Sequence, residues 1–220
     1  MRHLYNPIIP ECICLFVGLP VLLAMLPRRL NPIPILLVTA SALLIALLND
    51  PSFDRETLTR LPDLSHNLMR ILAPLPVVAL LMIALLYWLV PKELFKFIRR
   101  KPRTWAGVMV IYPFVSVIPQ TIIYRVFFMH RYAYLFGNGW GMIAAATAAF
   151  GIGHVVFRHP VPVIITAIGG FIFAFNYHTT GSAPLSAIEH ALYGDLAFTI
   201  GYSYYLYHAS VRTVEAVIEK

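Results

Sequence analysis

Long apolar stretches alternate with short polar segments along the chain, and this pattern predicts membrane-spanning helices. A helix needs about 20 apolar residues to cross the hydrocarbon core of a bilayer. Stretches near this length lie at 8–26, 33–49, 71–91, 105–128, 139–157, 161–177 and 184–208. The pattern therefore predicts an all-α, polytopic transmembrane bundle of about seven spans.

The composition agrees with a membrane protein and excludes two other classes. Of the 220 residues, 59% are hydrophobic and 12% are charged, whereas soluble domains carry roughly 25% charged residues. Intrinsic disorder is excluded because it requires low hydrophobicity. No small-residue cleavage site follows the first stretch, so we interpret it as a retained helix and not as a signal peptide.

The basic residues lie between the apolar stretches and predict the orientation of the helices. The net charge is +7, and the basic residues are densest in the segment 92–103, whereas the segment 50–70 carries several acidic residues. Because Lys and Arg accumulate in cytoplasmic loops, we expect the N-terminus outside and the C-terminus inside, in a bacterial inner membrane. The same clusters predict contact with membrane lipids, and we expect no nucleic-acid partner.

The distribution of polar residues divides the chain into three predicted regions. Residues 1–104 contain the first three spans and a basic loop, with almost no polar residue inside a span. Residues 105–208 form the core, which carries polar residues at membrane depth, and residues 209–220 form a cytoplasmic tail. An ionisable side chain in the bilayer interior costs about 2.5–3.5 kcal/mol, so we expect the core to carry the function.

The polar residues of the core lie on three spans. They are Gln120, Thr121 and Arg125 on the fourth span, His154 on the fifth, and Glu189, His190 and Asp195 on the seventh. Thr121 and Arg125 are four residues apart, as are Phe150 and His154, so each pair shares a helix face. If the three helices are neighbours, the polar side chains converge on one intramembrane pocket.

Simpler roles compete with this interpretation for each residue. Arg125 lies near a span end, where it would snorkel to the membrane interface. Alternatively, its planar guanidinium would brace the helix ends as a structural element. Asp195 would pair with a hydroxyl group of the aromatic run 202–207. Two histidines on separate spans together with an arginine favour a functional cavity.

At these residues the sequence resembles the CPBP family, which comprises the CAAX prenyl endopeptidases and the bacteriocin-processing Abi intramembrane proteases. The family carries Glu-Glu-x-x-x-Arg on one helix, Phe-x-x-x-His on the next, and His-x-x-x-Asn (or Asp) on a later one. In the same order this chain has Gln120-Thr121-xxx-Arg125, Phe150-xxx-His154 and His190-xxx-Gly194. The resemblance covers about residues 105–208 and is nearest to a bacterial branch of the family.

The resemblance implies peptide-bond hydrolysis within the membrane. A glutamate and a histidine would activate a water molecule, and a second histidine with an asparagine would hold the oxyanion. Here Gln120 and Thr121 replace both glutamates, and Gly194 replaces the asparagine. A carboxylate that accepts and returns a proton contributes about 10²–10⁴-fold to the rate, so we predict little or no hydrolysis.

We therefore predict an accessory or assembly subunit that binds hydrophobic polypeptide segments, lipid or other membrane-protein subunits. The family-equivalent catalytic positions are His154, His190, Gln120, Thr121 and Arg125, and the predicted ligand-contacting positions are Phe150 and Asp195.

Three alternatives remain from the sequence. The chain would be an active endopeptidase if His154 and His190 worked with a substitute carboxylate such as Glu189, one residue from the face of His190. A zinc site would need Asp195 as a third ligand, and because no His-Glu-x-x-His motif is present we expect no metal and no other cofactor. A channel or carrier would need more polar lining in the first three spans.

Overall fold

The computed structural model describes residues 7–27 and 31–206, and this part of the chain is helical without any strand. Each predicted span corresponds to one long helix. The helices are α1 (Ile8–Met25), α2 (Ile33–Leu48), α3 (Leu64–Leu89), α4 (Pro102–Arg131), α5 (Trp140–Phe157), α6 (Pro160–Thr180) and α7 (Ala183–Ile200). The predicted all-α bundle is confirmed, whereas the predicted tail at 209–220 lies outside the described residues.

The helices carry the surface of an integral membrane protein. Within the described residues, α1, α3, α4, α5 and α6 are long and apolar enough to cross a membrane. The helix α2 is apolar but has only 16 residues, and α7 carries the polar residues of the predicted site. Large apolar side chains such as Val38, Leu80 and Ile164 are exposed on the outer faces of the helices. In a bilayer these faces contact the hydrocarbon core.

Consecutive helices run in opposite directions, so their ends gather at two ends of the bundle. At one end, the last residues of α1, α5 and the segment after α7 surround a pocket together with the segment 93–101. We call this the basic end, because Lys96, Arg100, Lys101 and Arg158 lie there. At the opposite end, Arg131 of α4 donates hydrogen bonds of 2.9 and 2.8 Å to Glu11 of α1.

The helix α7 lies inside the bundle, where side chains of its neighbours hold it. The Ser186 hydroxyl donates a hydrogen bond of 3.1 Å to the carbonyl of Phe173 in α6, and the Trp105 indole of α4 donates one of 3.0 Å to Thr199. The helices α5 and α6 pack very closely, since a Cβ atom on Gly151 would lie 3.0 Å from the Cβ of Ala167. These contacts fix α4, α5, α6 and α7 around one another.

Two helix boundaries differ from the sequence prediction for local reasons. The helix α3 begins at Leu64 and not near residue 71, because the Asp63 side chain caps it by accepting a hydrogen bond of 3.2 Å from the N–H of His66. The buried amide of Asn67 donates to the carbonyls of Pro62 and Asp63, so this polar residue is satisfied within its own turn. The helix thus tolerates polar residues that the hydropathy pattern assigned to a loop.

The seventh helix is shorter than predicted. It ends at Ile200, and Gly201 follows with a φ of +130°, a conformation that L-residues with a side chain rarely adopt. A separate short helix, Ser203–Leu206, follows this break. The tyrosines of the aromatic run therefore do not continue the face of α7 that carries His190.

We expect the contact between α2 and α4 at the end opposite the basic end to weaken at acidic pH. His130 lies 3.0 Å from the carboxylate of Asp50, and this hydrogen bond, with those from Ser52, holds the pKa of Asp50 below its ordinary value of 3.8. A lowered carboxyl pKa stabilises the fold above the ordinary value, and the contribution is lost as the pH falls below it. Asp50→Asn should therefore lower the melting temperature at pH 6 and by a smaller amount at pH 3, where the contribution has begun to fall.

A suitable control is Glu56→Gln, because the Glu56 side chain is 83% exposed and lies 3.3 Å from Arg60. We expect it to change the melting temperature little at either pH. An equal loss for Asp50→Asn at both pH values would contradict a role for the Asp50 charge.

Candidate functional site

One cavity inside the bundle brings together polar side chains from α4, α5 and α7. It has a volume of about 290 Å³, and Gln120, His154 and His190 line it with Tyr112 and Ser116. The other walls are mostly apolar and come largely from α3 and α6, including Val78, Leu81, Met82, Ile165, Ile168 and Ile172. We call it the histidine cavity. Both histidines that the sequence predicts to converge thus lie on the same cavity.

The helix α4 reaches the cavity through an irregular course. The segments Pro113–Val117 and Ile122–Phe127 are wound as π-helix, which adds a residue per turn and occurs often at functional sites. Because of the extra residues, side chains on either side of a π turn do not keep the four-residue register of an α-helix. Gln120, between the two segments, lines the cavity, whereas Arg125 and Thr121 do not.

Gln120 lines the cavity, and its amide is hydrogen-bonded on one side only. Its Nε2 donates a hydrogen bond of 2.7 Å to the Ser116 hydroxyl. Its Oε1 is buried and has no hydrogen-bond partner among the described residues. A smaller space of about 120 Å³ lies toward α1 and α2, and Gln120 and His154 line it as well. Gln120 and His154 therefore line both the histidine cavity and the smaller space.

The orientation of His154 follows from the end of the α-helical part of α5. The α-helix ends at Gly153, and a 3₁₀ turn runs from His154 to Phe157. The carbonyl of Phe150 lies 2.7 Å from the imidazole Nδ1 of His154. Nδ1 is therefore the protonated nitrogen, and Nε2 keeps a lone pair that can accept a proton.

His190 lies among aromatic side chains and contacts Tyr112. Its Nε2 is 3.3 Å from the Tyr112 hydroxyl, and its Nδ1 is buried without a partner among the described residues. Its ring stacks on Phe173 with centroids 4.6 Å apart and meets the edge of Phe150 at 5.4 Å. If the Tyr112 hydroxyl donates to Nε2, the ring proton lies on Nδ1, for which no described residue is an acceptor.

Tyr112 is a residue of the site that the sequence analysis missed. A Cβ atom on Gly194 would collide with the Tyr112 hydroxyl and ring, so the phenol occupies the space that a side chain on Gly194 would need. The family pattern places an asparagine or aspartate at this position, four residues after the histidine. The only signal in the sequence was Gly194 itself. A glycine at this position indicates that the family side chain is missing, but it does not indicate which residue fills the space.

The structure overturns both simple roles expected for Arg125. The side chain is only 1% exposed, so it does not snorkel to the membrane interface. Its Nη1 and Nη2 have no hydrogen-bond partner among the described residues, so the guanidinium does not brace helix ends through them. Instead, its carbon Cζ lies 4.0 Å from the centre of the Phe150 ring and 5.3 Å from that of Phe173. Arg125 thus supports the aromatic residues that contact His190.

The remaining predicted residues do not line the histidine cavity. Thr121 is buried with its hydroxyl unpartnered. Glu189 is buried and accepts a hydrogen bond of 2.9 Å from the amide of Asn176. Asp195 has a buried, unpartnered Oδ1, so that oxygen is not paired with any described tyrosine, and the Tyr202 hydroxyl donates to the carbonyl of Met82 instead.

The arrangement of acids and histidines does not assemble a metal site. Within residues 7–27 and 31–206, no group of three or more His, Cys, Asp or Glu side chains lies close enough to hold a metal ion. The third zinc ligand considered from the sequence, Asp195, does not line the cavity that holds the two histidines.

Comparison with known proteins gives one match. Residues 102–194 match the model of a family described as type II CAAX prenyl endopeptidase Rce1-like. The matched segment contains Tyr112, Ser116, Gln120, His154 and His190 of the histidine cavity, and it confirms the resemblance seen in the three motifs. Neither the curated proteins nor the solved structures include a match to the chain.

Proposed function

From the match of residues 102–194 to the Rce1-like family model, we propose a CPBP-type, protease-like protein that binds membrane-embedded ligands but hydrolyses them poorly or not at all. The observation that carries the proposal is the lining of the histidine cavity. It combines two histidines, an amide and three phenols with apolar walls, and no carboxylate occurs among the described residues that line it.

The missing carboxylate affects both proton transfers of peptide hydrolysis. A general base takes a proton from the attacking water, and the same group returns it to the leaving amine. The Gln120 amide can orient a water molecule but does not exchange protons near neutral pH. Glu189 does not substitute for it in the described conformation, because its carboxylate accepts the amide of Asn176 and does not line the cavity.

The shape and lining of the cavity suit an apolar ligand with a few polar groups. A volume of about 290 Å³ accommodates a few side chains or part of a hydrocarbon chain. Ligand sites of this kind combine apolar walls with a small number of placed hydrogen-bonding groups. Gln120, Tyr112 and His190 supply hydrogen-bonding groups among the residues that line this cavity. We therefore propose a hydrophobic polypeptide segment as the ligand of this cavity, and a role as an accessory subunit.

The binding role can be tested with a hydrophobic peptide that carries a photoreactive group. We expect the purified chain to be labelled at α6 or α7, and Ile172→Trp to reduce labelling strongly because the larger ring fills the cavity. Val38→Trp is the matched control, since Val38 lies on the exposed face of α2. Equal labelling of both variants and the parent chain would contradict binding in the histidine cavity.

A second candidate function is an active endopeptidase in which His154 is the general base. The hydrogen bond from Nδ1 to the Phe150 carbonyl favours it, because this contact leaves Nε2 unprotonated. The unpartnered His190 Nδ1 would then be the oxyanion donor. This candidate requires a single histidine to replace the missing acid in both proton transfers.

Cleavage of prenylated and hydrophobic peptides by the purified chain distinguishes these functions. We expect wild type, His154→Ala and Glu189→Gln to show the same background turnover, because no acid–base pair is complete. Turnover in wild type that disappears in His154→Ala would overturn the proposal in favour of the endopeptidase. A loss in Glu189→Gln as well would indicate that Glu189 leaves Asn176 and acts as the substitute carboxylate.

We also propose that the basic end faces the cytoplasm of a bacterial inner membrane. Four basic residues from two segments of the chain gather there, whereas Glu11 and Asp50 lie at the opposite end. Basic residues accumulate on the cytoplasmic side of membrane proteins. A reporter fused after residue 220 and active only in the cytoplasm should be active, and one active only outside should be silent.

A further inference from the structure

The pocket at the basic end differs in construction from the histidine cavity. It has a volume of about 680 Å³ and two kinds of lining. Basic side chains come from the segments between helices, and apolar side chains come from within α1, α2 and α5. The basic group is Lys96, Arg100, Lys101, Arg158 and His159, and the apolar group includes Leu23, Leu26, Ile35, Val156 and Phe157. The pocket is therefore charged at the boundary of the membrane and apolar toward its interior.

Among the described residues, no acid pairs with Arg100 or Arg158 in this pocket. Glu93 is the single acid among the described lining residues, and it pairs with Lys96 at 2.5 Å. Arg100 is exposed and forms no ion pair or hydrogen bond with another described residue. The guanidinium of Arg158 donates to the carbonyl of Leu26, a neutral acceptor, and so keeps its full charge.

His159 adds a hydrogen-bond donor beside these arginines. Its Nδ1 accepts a hydrogen bond of 3.2 Å from the N–H of Val161, which places the ring proton on Nε2. Its ring packs on Tyr205 with centroids 4.7 Å apart. His159 also precedes the first turn of α6, whose positive end favours a negative group nearby.

We propose that this pocket binds an anionic phospholipid, with the phosphate between Arg100, Arg158 and His159 and an acyl chain against the apolar residues. The charge complementarity selects a negative headgroup, and the apolar lining selects a ligand with a hydrocarbon chain over a free phosphate. Phe157 lines both this pocket and the histidine cavity. The acyl chain thus lies along a wall that the two sites share, although lipid binding does not depend on what the histidine cavity does.

The experiment is a titration of the full, delipidated chain in detergent, with binding followed by native mass spectrometry. The probes are phosphatidylglycerol, phosphatidylcholine and glycerol phosphate. We expect phosphatidylglycerol to bind more tightly than phosphatidylcholine and glycerol phosphate not to bind detectably. Arg100→Gln and Arg158→Gln together should weaken phosphatidylglycerol binding roughly thirtyfold, because each basic side chain near an anionic headgroup contributes about fivefold.

The matched control is Arg103→Gln, which removes the same charge from an exposed residue that does not line the pocket. Its binding of phosphatidylglycerol should stay within about twofold of wild type, as expected for a charge outside the site. Arg100→Gln alone tests the proposal if the double variant does not fold, because Arg100 has no partner among the described residues to lose. Equal binding of the two lipids, unchanged binding in the folded Arg100 variant, or equally tight binding of glycerol phosphate would each overturn the proposal.

Discussion

Gln120→Glu should give the histidine cavity a peptide-hydrolysing activity that is at least about 10²-fold above that of the parent chain. The new carboxylate would replace the amide of Gln120, which lines both the histidine cavity and the smaller space, as Ser116 and His154 also do. It would supply the group that takes a proton from water and returns it to the leaving amine. Cleavage of a hydrophobic peptide, followed by mass spectrometry of the products, measures the gain.

The substitution changes the fold little. Glutamate and glutamine have nearly the same shape, and the Ser116 hydroxyl, which now accepts from the amide at 2.7 Å, can rotate to donate to a carboxylate. The gain in turnover should therefore reflect chemistry and not a rearranged cavity. This expectation is checked by comparing the melting temperatures of the two proteins.

Two further variants identify the source of the activity. Gln120→Glu combined with His154→Ala should lose the gain, because the carboxylate then lacks its histidine partner. Thr121→Glu should not produce activity, since Thr121 is buried outside the cavity. A folded Gln120→Glu protein with unchanged turnover would show that the cavity lacks more than a carboxylate.

The helices and the two histidines could be predicted from the sequence because polar residues are conspicuous in an apolar chain. Burying an imidazole in a membrane is costly, so His154 and His190 stand out in the sequence as candidate functional residues. In the structure both line one cavity. The burial of Arg125 could not be predicted in the same way. Because Arg125 lies near the predicted end of its span, the sequence suggested a position at the membrane interface. Its actual position against the Phe150 ring depends on packing between three helices.

Local winding explains other differences from the sequence prediction. A four-residue spacing predicts a shared face only in a regular α-helix, and the π turns of α4 break that register between Thr121 and Arg125. Tyr112 remained hidden for a different reason. It lies eight residues before Gln120 in an apolar run, and only the contact with α7 shows that it fills the space beside His190.

Substitutions at the contact between Tyr112 and Gly194 should have a large effect on the free energy of unfolding. The two positions share one volume, because a Cβ atom on Gly194 would overlap the phenol ring as well as its hydroxyl. In this protein a group from α4 therefore contacts His190, at 3.3 Å, where the family pattern supplies a side chain from α7. Restoring the family residue should thus be harmful unless Tyr112 is also made small.

We expect Gly194→Asn to destabilise the protein by about 1–3 kcal/mol through overpacking. Tyr112→Ala should also destabilise it, by about 3–5 kcal/mol, because it leaves a cavity next to His190. In the double variant the asparagine occupies the vacated space, so the two effects should fall short of their sum by about 1–3 kcal/mol. Denaturation in detergent, followed by the tryptophan fluorescence of the protein, measures all three values.

Gly139→Asn is the matched control, because nothing lies within 4 Å of a Cβ atom at Gly139 and the residue precedes the first turn of α5. It should be tolerated, since asparagine is favoured at the start of a helix. Strictly additive effects of Gly194→Asn and Tyr112→Ala would contradict a shared volume. A coupling of the expected size would mean that Tyr112 of α4 fills the space beside His190 that a side chain at position 194 of α7 would otherwise occupy.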